Sequence, residues 1–309
     1  MQKNVEAIVR SAEAQLESFS RESSFWERGA IITDLDGTAV HEFQDRIVIV
    51  PDVANGLKRL VELRCPLILN TLRFPMSVLR TFGREWYSIS KAPIPTVTLN
   101  GSQLGYIVEN GRGELEFEEI DCKPLPPAAI EHALAPVKSL LAEGHRDVLV
   151  FYYPRDWKLG EVIWTPVAEN VMHVKQKYKS ASSVTAIDFE KLHDQLLAEP
   201  ICMIFLQVDV PEDQRMAYQH SQGSGFFSAD GVDKLAGARN MAARLGIELD
   251  ASMGAGDTSM DTFLNGVGCA VIVGNARLRL RGLLETIRVI DSITFGKLLF
   301  KLSELGPAR

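Results

Sequence analysis

The stretch that decides the fold reads Gly29-Ala30-Ile31-Ile32-Thr33-Asp34-Leu35-Asp36-Gly37-Thr38. Its apolar first half is typical of a short buried strand, and this strand runs directly into two carboxylates one residue apart. Gly37 favours a turn, so we expect the strand to end at the two acids. In open parallel sheets, ligands bind at the carboxyl ends of the strands. Asp34 and Asp36 are therefore candidate residues of a ligand site.

Two carboxylates this close repel each other unless a cation lies between them or one of them holds a proton. The pattern Asp-x-Asp-Gly also begins calcium loops, and two acids after a strand can be an ordinary polar turn. A calcium loop needs further oxygen ligands and a closing Glu, whereas the chain continues with Thr38-Ala39-Val40-His41. The motif therefore favours a catalytic site over a calcium loop.

Strands and helices alternate along the chain before residue 122 and after residue 224. This alternation predicts a Rossmann-like, doubly wound parallel α/β sheet. The dipeptide Asn100-Gly101 after the third strand is a hairpin signal. We expect helices at 51–63, from about 75 to 86, at 234–245 and at 295–305, and strands at 29–32, 66–70, 96–99, 104–108, 114–118, 251–254, 269–273 and 286–290.

The central region, residues 122–224, has the pattern of an inserted α+β domain. It begins with the linker-like Lys123-Pro124-Leu125-Pro126-Pro127, and its strands are partly polar, as in an antiparallel sheet. The expected elements are strands at 147–153, 161–165 and 201–208, helices at 127–143, 188–197 and 211–220, and a charged strand face at 173–179. The predicted domains are a helical extension at 1–28, a core at 29–121 and 225–309, and this insertion.

The composition of the 309 residues is that of an ordinary globular protein, with 46% hydrophobic and 24% charged residues. A net charge of -7 argues against a nucleic-acid or anionic-membrane partner. No stretch approaches the ~20 consecutive apolar residues that cross a bilayer. The four scattered cysteines favour small buried side chains in a reducing compartment over disulfides or a zinc site. We expect a cytoplasmic protein, and the sequence gives no indication of its oligomeric state.

Four features follow strands or begin helices, where a parallel sheet brings distant residues to one edge. Together they resemble the motifs of the haloacid dehalogenase superfamily, including the type-two α+β cap inserted between the second and third motifs. The matching residues, in order, are Asp34-Leu35-Asp36-Gly37-Thr38, Thr71, Lys234, and Gly256-Asp257 with Asp261. Each feature alone has an ordinary explanation, such as a helix cap or a surface lysine, and only their joint order indicates a site.

The resemblance implies a magnesium-dependent phosphatase in which Asp34 is the nucleophile and Asp36 is the general acid and base. Magnesium would be held by Asp34, Asp257 and the backbone carbonyl of Asp36, with Asp261 acting through water. Such an ion masks the negative charge of a phosphate ester before a nucleophile approaches.

Phosphate binding falls to Thr71, which offers a hydroxyl donor, and to Lys234, which offers a fixed positive charge. Two positions depart from the pattern of the superfamily's sugar-phosphate branch. Leu72 stands where Gly is usual in Thr-Gly-Arg, although Arg73 is kept, and Met260 stands where Asn is usual. Both flank the expected phosphate site, so they bear on the choice of substrate.

Substrate selection would come from Arg73 and Asn100 in the core and from the cap, whose aromatic planes suit sugars and whose cations suit a second anionic group. The cap candidates are Tyr152, Arg155 and Trp157, for which cap core and solvated surface are alternative interpretations. The predicted substrate is a small phosphorylated metabolite, a sugar phosphate or a phosphoglycerate-type glycoside. Two alternatives stay open: a phosphosugar mutase, and a binding or regulatory protein on this fold.

Overall fold

The structure is a computed structural model that describes residues 2–43, 46–208, 225–278, 280 and 285–307. Two compact units make up the chain. The first comprises Met1–Arg73, Val78–Ile120 and Asp233–Arg309, and the second comprises Phe74–Ser77 and Asp121–Val232. The second unit is thus contributed almost wholly by one continuous segment between two parts of the first.

The elements are numbered along the described chain. The strands are β1 Ile31–Thr33, β2 Val40–Phe43, β3 Arg46–Ile49, β4 Leu67–Asn70, β5 Ile94–Thr98, β6 Gln103–Glu109, β7 Leu115–Cys122, β8 Val148–Pro154, β9 Val162–Trp164, β10 Ser183–Thr185, β11 Ile201–Val208, β12 Phe226–Phe227, β13 Met253–Gly256, β14 Cys269–Val273 and β15 Glu285–Val289. The helices are α1 Gln2–Glu22, α2 Phe25–Arg28, α3 Pro51–Glu62, α4 Pro75–Ser90, α5 Pro127–Ala142, α6 Val171–Lys177, α7 Phe189–Ala198, α8 Lys234–Leu245 and α9 Ser292–Glu304.

The first unit is built on an eight-stranded sheet of order β15-β14-β13-β1-β4-β5-β6-β7. The pairs from β15 to β5 are parallel, and β6 runs antiparallel to β5. The chain builds the sheet outward from β1 through β4 and β5, and later from β13 on the other side of β1. The carboxyl end of β1 is therefore the point where the strand order reverses, which is where open α/β sheets bind their ligands.

Alternate residues of each strand enter two different cores, because successive side chains of a strand point to opposite faces of the sheet. Ile31 and Met253 pack with α1, α3, α4 and α9, whereas Ile32 and Ala270 pack with α8. Helices cover both faces of the central parallel strands, and the predicted doubly wound α/β core is confirmed.

Helix α1, near the start of the chain, packs on the rest of the first unit. Ala12, Leu16 and Phe19 of α1 are buried in its core, and α1 lies against β15, the last strand of the sheet in the described chain. The side chain of Gln15 donates to the backbone carbonyl of Thr286 on that strand (3.1 Å). The described apolar residues of α1 therefore pack on the first unit itself.

The second unit has a five-stranded sheet of order β10-β9-β8-β11-β12, in which β9 and β10 are parallel and the other pairs are antiparallel. Helices α5 and α7 pack on one face of this sheet. The other face carries an aromatic row in which the rings of Phe151, Phe205 and Phe226 lie 5.3 and 4.5 Å apart. The predicted inserted α+β domain is confirmed as part of the fold.

Strands β10 and β12 were not predicted, and one predicted element of this unit has a different structure. Residues 173–179 were expected along a strand face, but the chain forms helix α6 from Val171 to Lys177. Alternating Lys residues mimic a strand pattern, while the single buried residue, Val174, suffices to anchor a short helix whose charged side chains face water. The helix predicted at 211–220 lies outside the described residues.

The described cysteines are free thiols, and Cys65, Cys202 and Cys269 are buried. Burial raises the pKa of the Cys65 thiol to about 12, so this thiol stays protonated at neutral pH. Cys122 and Cys202, 80 residues apart in sequence, bring their sulfur atoms within 3.2 Å of each other, a proximity that the scattered spacing did not predict. Among the described residues, no helix combines the length and apolarity needed to cross a membrane.

Candidate active site

Asp34 follows the last residue of β1 and lies at the edge where the strand order reverses. Its backbone N–H donates to the carbonyl of Ala255 (2.9 Å), which extends the pairing of β1 with β13 by one residue. The side chain is buried, although it carries a carboxylate. A buried carboxylate requires compensating partners, and these come from the far end of the chain.

Asp257 and Asp261 lie in the loop after β13, next to Asp34. One carboxylate oxygen of Asp261 accepts hydrogen bonds from the backbone N–H groups of Asp257 and Thr258, each 2.9 Å long. These bonds shape the loop so that oxygens of Asp34, Asp257 and Asp261 lie within 4.8 Å of one another. Acids more than 200 positions apart in sequence therefore form one acidic cluster, as their motif order predicted.

Lys234, the first residue of α8, is buried beside the acidic cluster. Its ammonium donates to Asp34 (2.7 Å) and to Asp261 (2.6 Å). Asp233 caps the helix by accepting from the N–H of Ala236 (2.7 Å), and Asn70 donates to the carbonyl of Lys234 (2.8 Å). The helix terminus is thus fixed from both sides, which holds the lysine against the two carboxylates.

Thr71 follows β4 and is also buried. Its N–H donates to the carbonyl of Val97 (2.9 Å), and its hydroxyl oxygen accepts from the N–H of Arg73 (3.1 Å). Asn100 lies in the turn between β5 and β6 with a left-handed φ of 57°, and its N–H donates to the carbonyl of Thr71 (3.4 Å). The loops that carry Thr71 and Asn100 are therefore joined by backbone hydrogen bonds.

Asp36 is the exposed member of the motif. Its side chain is 51% exposed, and both of its carboxylate oxygens accept from the guanidinium of Arg73, at 2.7 Å each. From the sequence, Arg73 was expected to contact the substrate, whereas the structure pairs it with Asp36. A pair 37 positions apart has no local signal in the sequence, so this contact was missed.

Gly37 makes the close approach of Asp257 possible. Its φ is +72°, which favours glycine, and a Cβ at this position would lie 2.1 Å from a carboxylate oxygen of Asp257. The hydroxyl of Thr38 donates to the other oxygen of Asp257 (3.5 Å). Gly37 and Thr38, which end the first motif, thus determine the position of the Asp257 carboxylate from the fourth motif.

The charges of the acidic cluster do not balance. Burial raises the pKa of Asp34 to about 7, with Lys234 opposing and Asp261 adding to the rise. Burial and Asp261 raise the pKa of Asp257 to about 6. Burial by itself would lower the pKa of Lys234, but Asp34 and Asp261 raise it, so Lys234 stays charged. One ammonium among three carboxylates leaves an excess of negative charge.

This donor set suits a divalent cation. Three carboxylates offer only oxygen ligands. Hard cations such as Mg²⁺ prefer oxygen ligands, whereas softer transition metals prefer sulfur or nitrogen. A divalent ion would also neutralise the charge that Lys234 leaves uncompensated. Asp34 and Asp257 have oxygens without a short protein hydrogen bond, whereas Asp261 already accepts from Lys234 and from backbone N–H groups. The cluster therefore fits a magnesium ion held mainly by Asp34 and Asp257.

The three candidates from the insertion belong to the second unit. Tyr152 is buried in the hydrophobic core of this unit, on the face of β8 that packs against α5 and α7, so its assignment to substrate contact is corrected. Successive residues of a strand alternate faces, and Tyr152 takes the inner one. Arg155 is exposed and Trp157 half-buried in the loop after β8. Both stay candidates for ligand contact.

Asn70 is a candidate site residue that was not predicted from the sequence. It ends β4 immediately before Thr71 and is fully buried, with its amide on Lys234 and its side-chain oxygen without a hydrogen-bond partner. A buried, half-satisfied amide beside a cluster of carboxylates is unusual in a protein core. The signal that could have identified it is an amide side chain that ends an apolar strand directly before a motif residue.

Residues 31–287 match the family model of the haloacid dehalogenase-like hydrolases. The chain belongs to this family. The match runs from β1, through the acidic cluster, to β15, and α1 lies outside it. A sequence comparison with curated proteins finds no match.

Solved structures, two of them described as phosphatases of the haloacid dehalogenase superfamily, share the fold over 87–90% of this chain. The sugar phosphatase BT4131 of subclass IIB is 16% identical, with a TM-score of 0.62 over 87% of this chain and 96% of its own. BT1666 from Bacteroides thetaiotaomicron, a phosphatase of the same superfamily, is 15% identical, with a TM-score of 0.62 over 90% and 96%. TM0651 from Thermotoga maritima is 15% identical, with a TM-score of 0.60 over 90% and 97%.

Proposed function

We propose that this family member is a Mg²⁺-dependent phosphatase that hydrolyses small phosphate monoesters through an aspartyl-phosphate. The observation that carries the proposal is the acidic cluster of Asp34, Asp257 and Asp261 at the carboxyl edge of the sheet. Two of its members, Asp34 and Asp261, accept hydrogen bonds from the ammonium of Lys234. The cluster lies beside a buried lysine, and a divalent cation would neutralise its excess negative charge. Together the cation and the lysine would bind a dianionic phosphate.

The binding of the phosphoryl group falls to the first unit. Magnesium, held by Asp34, Asp257 and the backbone carbonyl of Asp36, would mask phosphate charge when bound. Lys234 supplies a fixed positive charge, and the hydroxyl of Thr71 supplies a donor. Asp261 orients Lys234 through its 2.6 Å hydrogen bond, and it would hold the ion through water. These groups offset the repulsion between the ester and an attacking carboxylate.

Two in-line displacements complete the proposed reaction. In the first, an oxygen of Asp34 forms a bond to phosphorus, the ester P–O bond breaks, and Asp36 gives its proton to the departing oxygen. In the second, water forms the new P–O bond and gives a proton to Asp36 as the bond between Asp34 and phosphorus breaks. Phosphate is released, and Asp36 is again protonated for the next cycle.

The proposed substrates are sugar phosphates or phosphoglycerate-type glycosides. The structural neighbour BT4131 is described as a sugar phosphatase, and its shared fold makes this class the first to test. In the second unit, which we propose to act as the cap, Arg155 offers charge and Trp157 a ring. Aromatic planes suit the apolar faces of sugars, and an exposed guanidinium suits a second anionic group.

Replacing the nucleophile tests the proposal. In Asp34→Asn, the amide cannot attack phosphorus, so we expect Mg²⁺-dependent hydrolysis of p-nitrophenyl phosphate to fall by about 10³-fold or more. The matched control is Asp188→Asn in the second unit, whose side chain is 77% exposed. This variant should hydrolyse the ester like the wild type. Activity of Asp34→Asn within about tenfold of wild type would refute the assigned mechanism.

A further inference from the structure

The ion pair between Asp36 and Arg73 has a better-defined geometry than is usual for an ion pair near the protein surface. Exposed ion pairs between flexible side chains usually contribute little free energy. Here the guanidinium donates two parallel hydrogen bonds, from Nε to one oxygen of Asp36 and from Nη2 to the other, both 2.7 Å. The Arg73 side chain is only 19% exposed, against 51% for Asp36. A two-pronged pair fixes the plane of the carboxylate as well as its position.

Arg73 is the better anchored partner. Its backbone N–H donates to the hydroxyl of Thr71 (3.1 Å), and its carbonyl accepts from the N–H of Leu99 (3.1 Å). Its guanidinium lies 5.6 Å from the centroid of the buried ring of Phe82, within the range of a cation–π contact. Contacts to its backbone and to its side chain thus hold Arg73, which in turn holds Asp36.

Phe82, the ring beside the Arg73 guanidinium, lies at an irregularity in helix α4. Its backbone (φ -152°, ψ 15°) is not helical, and the helix is kinked there. The ring is nevertheless buried in the core of the first unit. The guanidinium of Arg73 therefore contacts both a buried ring and the carboxylate that it holds.

We propose that Arg73 is a positioning residue that aims the carboxyl of Asp36 at the leaving-group oxygen. This inference rests on the proposed function. A half-exposed Asp would sample several rotamers, and proton transfer requires hydrogen-bond distance to one atom. Each carboxylate oxygen has two acceptor sites, and the bidentate pair uses one on each, so a site stays free to exchange the proton. Arg73 therefore acts through Asp36 and not as a direct substrate ligand.

The test compares two substrates that differ in how much they need an acid. The departing p-nitrophenolate is stable without a proton, whereas the alkoxide from glycerol phosphate is not. We expect Arg73→Gln to lower kcat/KM for glycerol phosphate by about 10²-fold and for p-nitrophenyl phosphate by less than about 3-fold. The ratio kcat/KM covers only steps up to departure of the alcohol, so the later role of Asp36 toward water does not enter.

A double-mutant cycle separates positioning from other roles. If Arg73 acts only through Asp36, Arg73→Gln has almost no further effect on glycerol phosphate in an Asp36→Asn background. Arg73→Lys keeps the charge without the bidentate fork and should fall between wild type and Arg73→Gln. The matched control is Arg80→Gln, an exposed position on α4, which should hydrolyse both esters like the wild type.

Several results would overturn the proposal. Equal losses on the two esters, or losses that add to those of Asp36→Asn, would make Arg73 a substrate ligand or a purely structural residue. Thermal unfolding of each variant identifies misfolding, and if Arg73→Gln does not fold, Arg73→Lys carries the comparison. A wild-type protein that hydrolyses neither ester would refute the proposed function itself, and with it this role. A wild type active on both, with uniform losses in the variants, would refute only the role of Arg73.

Discussion

Gly37 is the residue on which the geometry of the acidic cluster depends most directly. Its positive φ and the 2.1 Å that would separate a Cβ from the carboxylate of Asp257 leave no room for a side chain. The atom that this Cβ would meet is a carboxylate oxygen at the end of the Asp257 side chain. We therefore expect the Asp257 side chain to move before the backbone does. A methyl group here therefore displaces a proposed metal ligand without removing any carboxylate.

We expect Gly37→Ala to lower Mg²⁺-dependent phosphatase activity by about 10²-fold, because misplacing a reacting group by about 1 Å can cost this much. The strained φ should also cost about 1 kcal/mol of unfolding free energy. The control is Gly274→Ala, where φ is +78° and a Cβ would meet no atom within 4 Å. Urea unfolding should show similar destabilisation in both variants, and equal activities would contradict the steric role of Gly37.

Site residues that directly follow strands could be predicted from the sequence. Asp34 and Thr71 end apolar runs, and parallel strands deliver such residues to one edge. The pairing of Arg73 with Asp36 could not be predicted, because it depends on side-chain directions across two loops. The burial of Tyr152 was equally hidden, since Tyr152 and Tyr153 are adjacent and only the pairing register decides which of them faces the core.

Helix α8 is the element that presents Lys234, and its first turn depends on a side-chain cap. Asp233 accepts from the N–H of Ala236, and Gly246 ends the helix with φ 68°. Both signals are local, and the observed helix agrees with the helical run to Leu245 that the sequence predicted. The short helix α6 was mispredicted because its pattern of alternating charges is equally compatible with a strand and its apolar face is too narrow to identify.

Removing the cap of α8 should weaken both the fold and the site. We expect Asp233→Ala to lose about 1 kcal/mol of unfolding free energy and to show a lower kcat, because the first turn that holds Lys234 frays. Asp291→Ala is the matched control, since Asp291 caps α9 in the same unit by accepting from the N–H of Thr294 (2.8 Å). It should lose similar stability in urea with unchanged kcat. A kcat for Asp233→Ala equal to wild type would contradict the link.

The order of the strands in the central sheet determines how distant parts of the chain form the first unit. The first unit is completed by two distant parts of the chain, and the parallel pairing of β1 with both β4 and β13 brings these parts together. This topology was predictable because crossover connections between parallel strands obey few rules. The contact between Cys122 and Cys202 was not, since it depends on how the end of β7 passes beside the start of β11.

Helix α1 has a consequence for how copies of the protein behave toward one another. It lies on β15, an edge strand whose backbone could otherwise pair with another chain, and its Gln15 already occupies one carbonyl there. We expect Leu16→Asp to release the helix and produce self-association that grows with concentration in sedimentation experiments. Ala14→Asp, at an exposed position of the same helix, should sediment like the wild type. A monodisperse Leu16→Asp protein would show that the helix does not shield this border against aggregation.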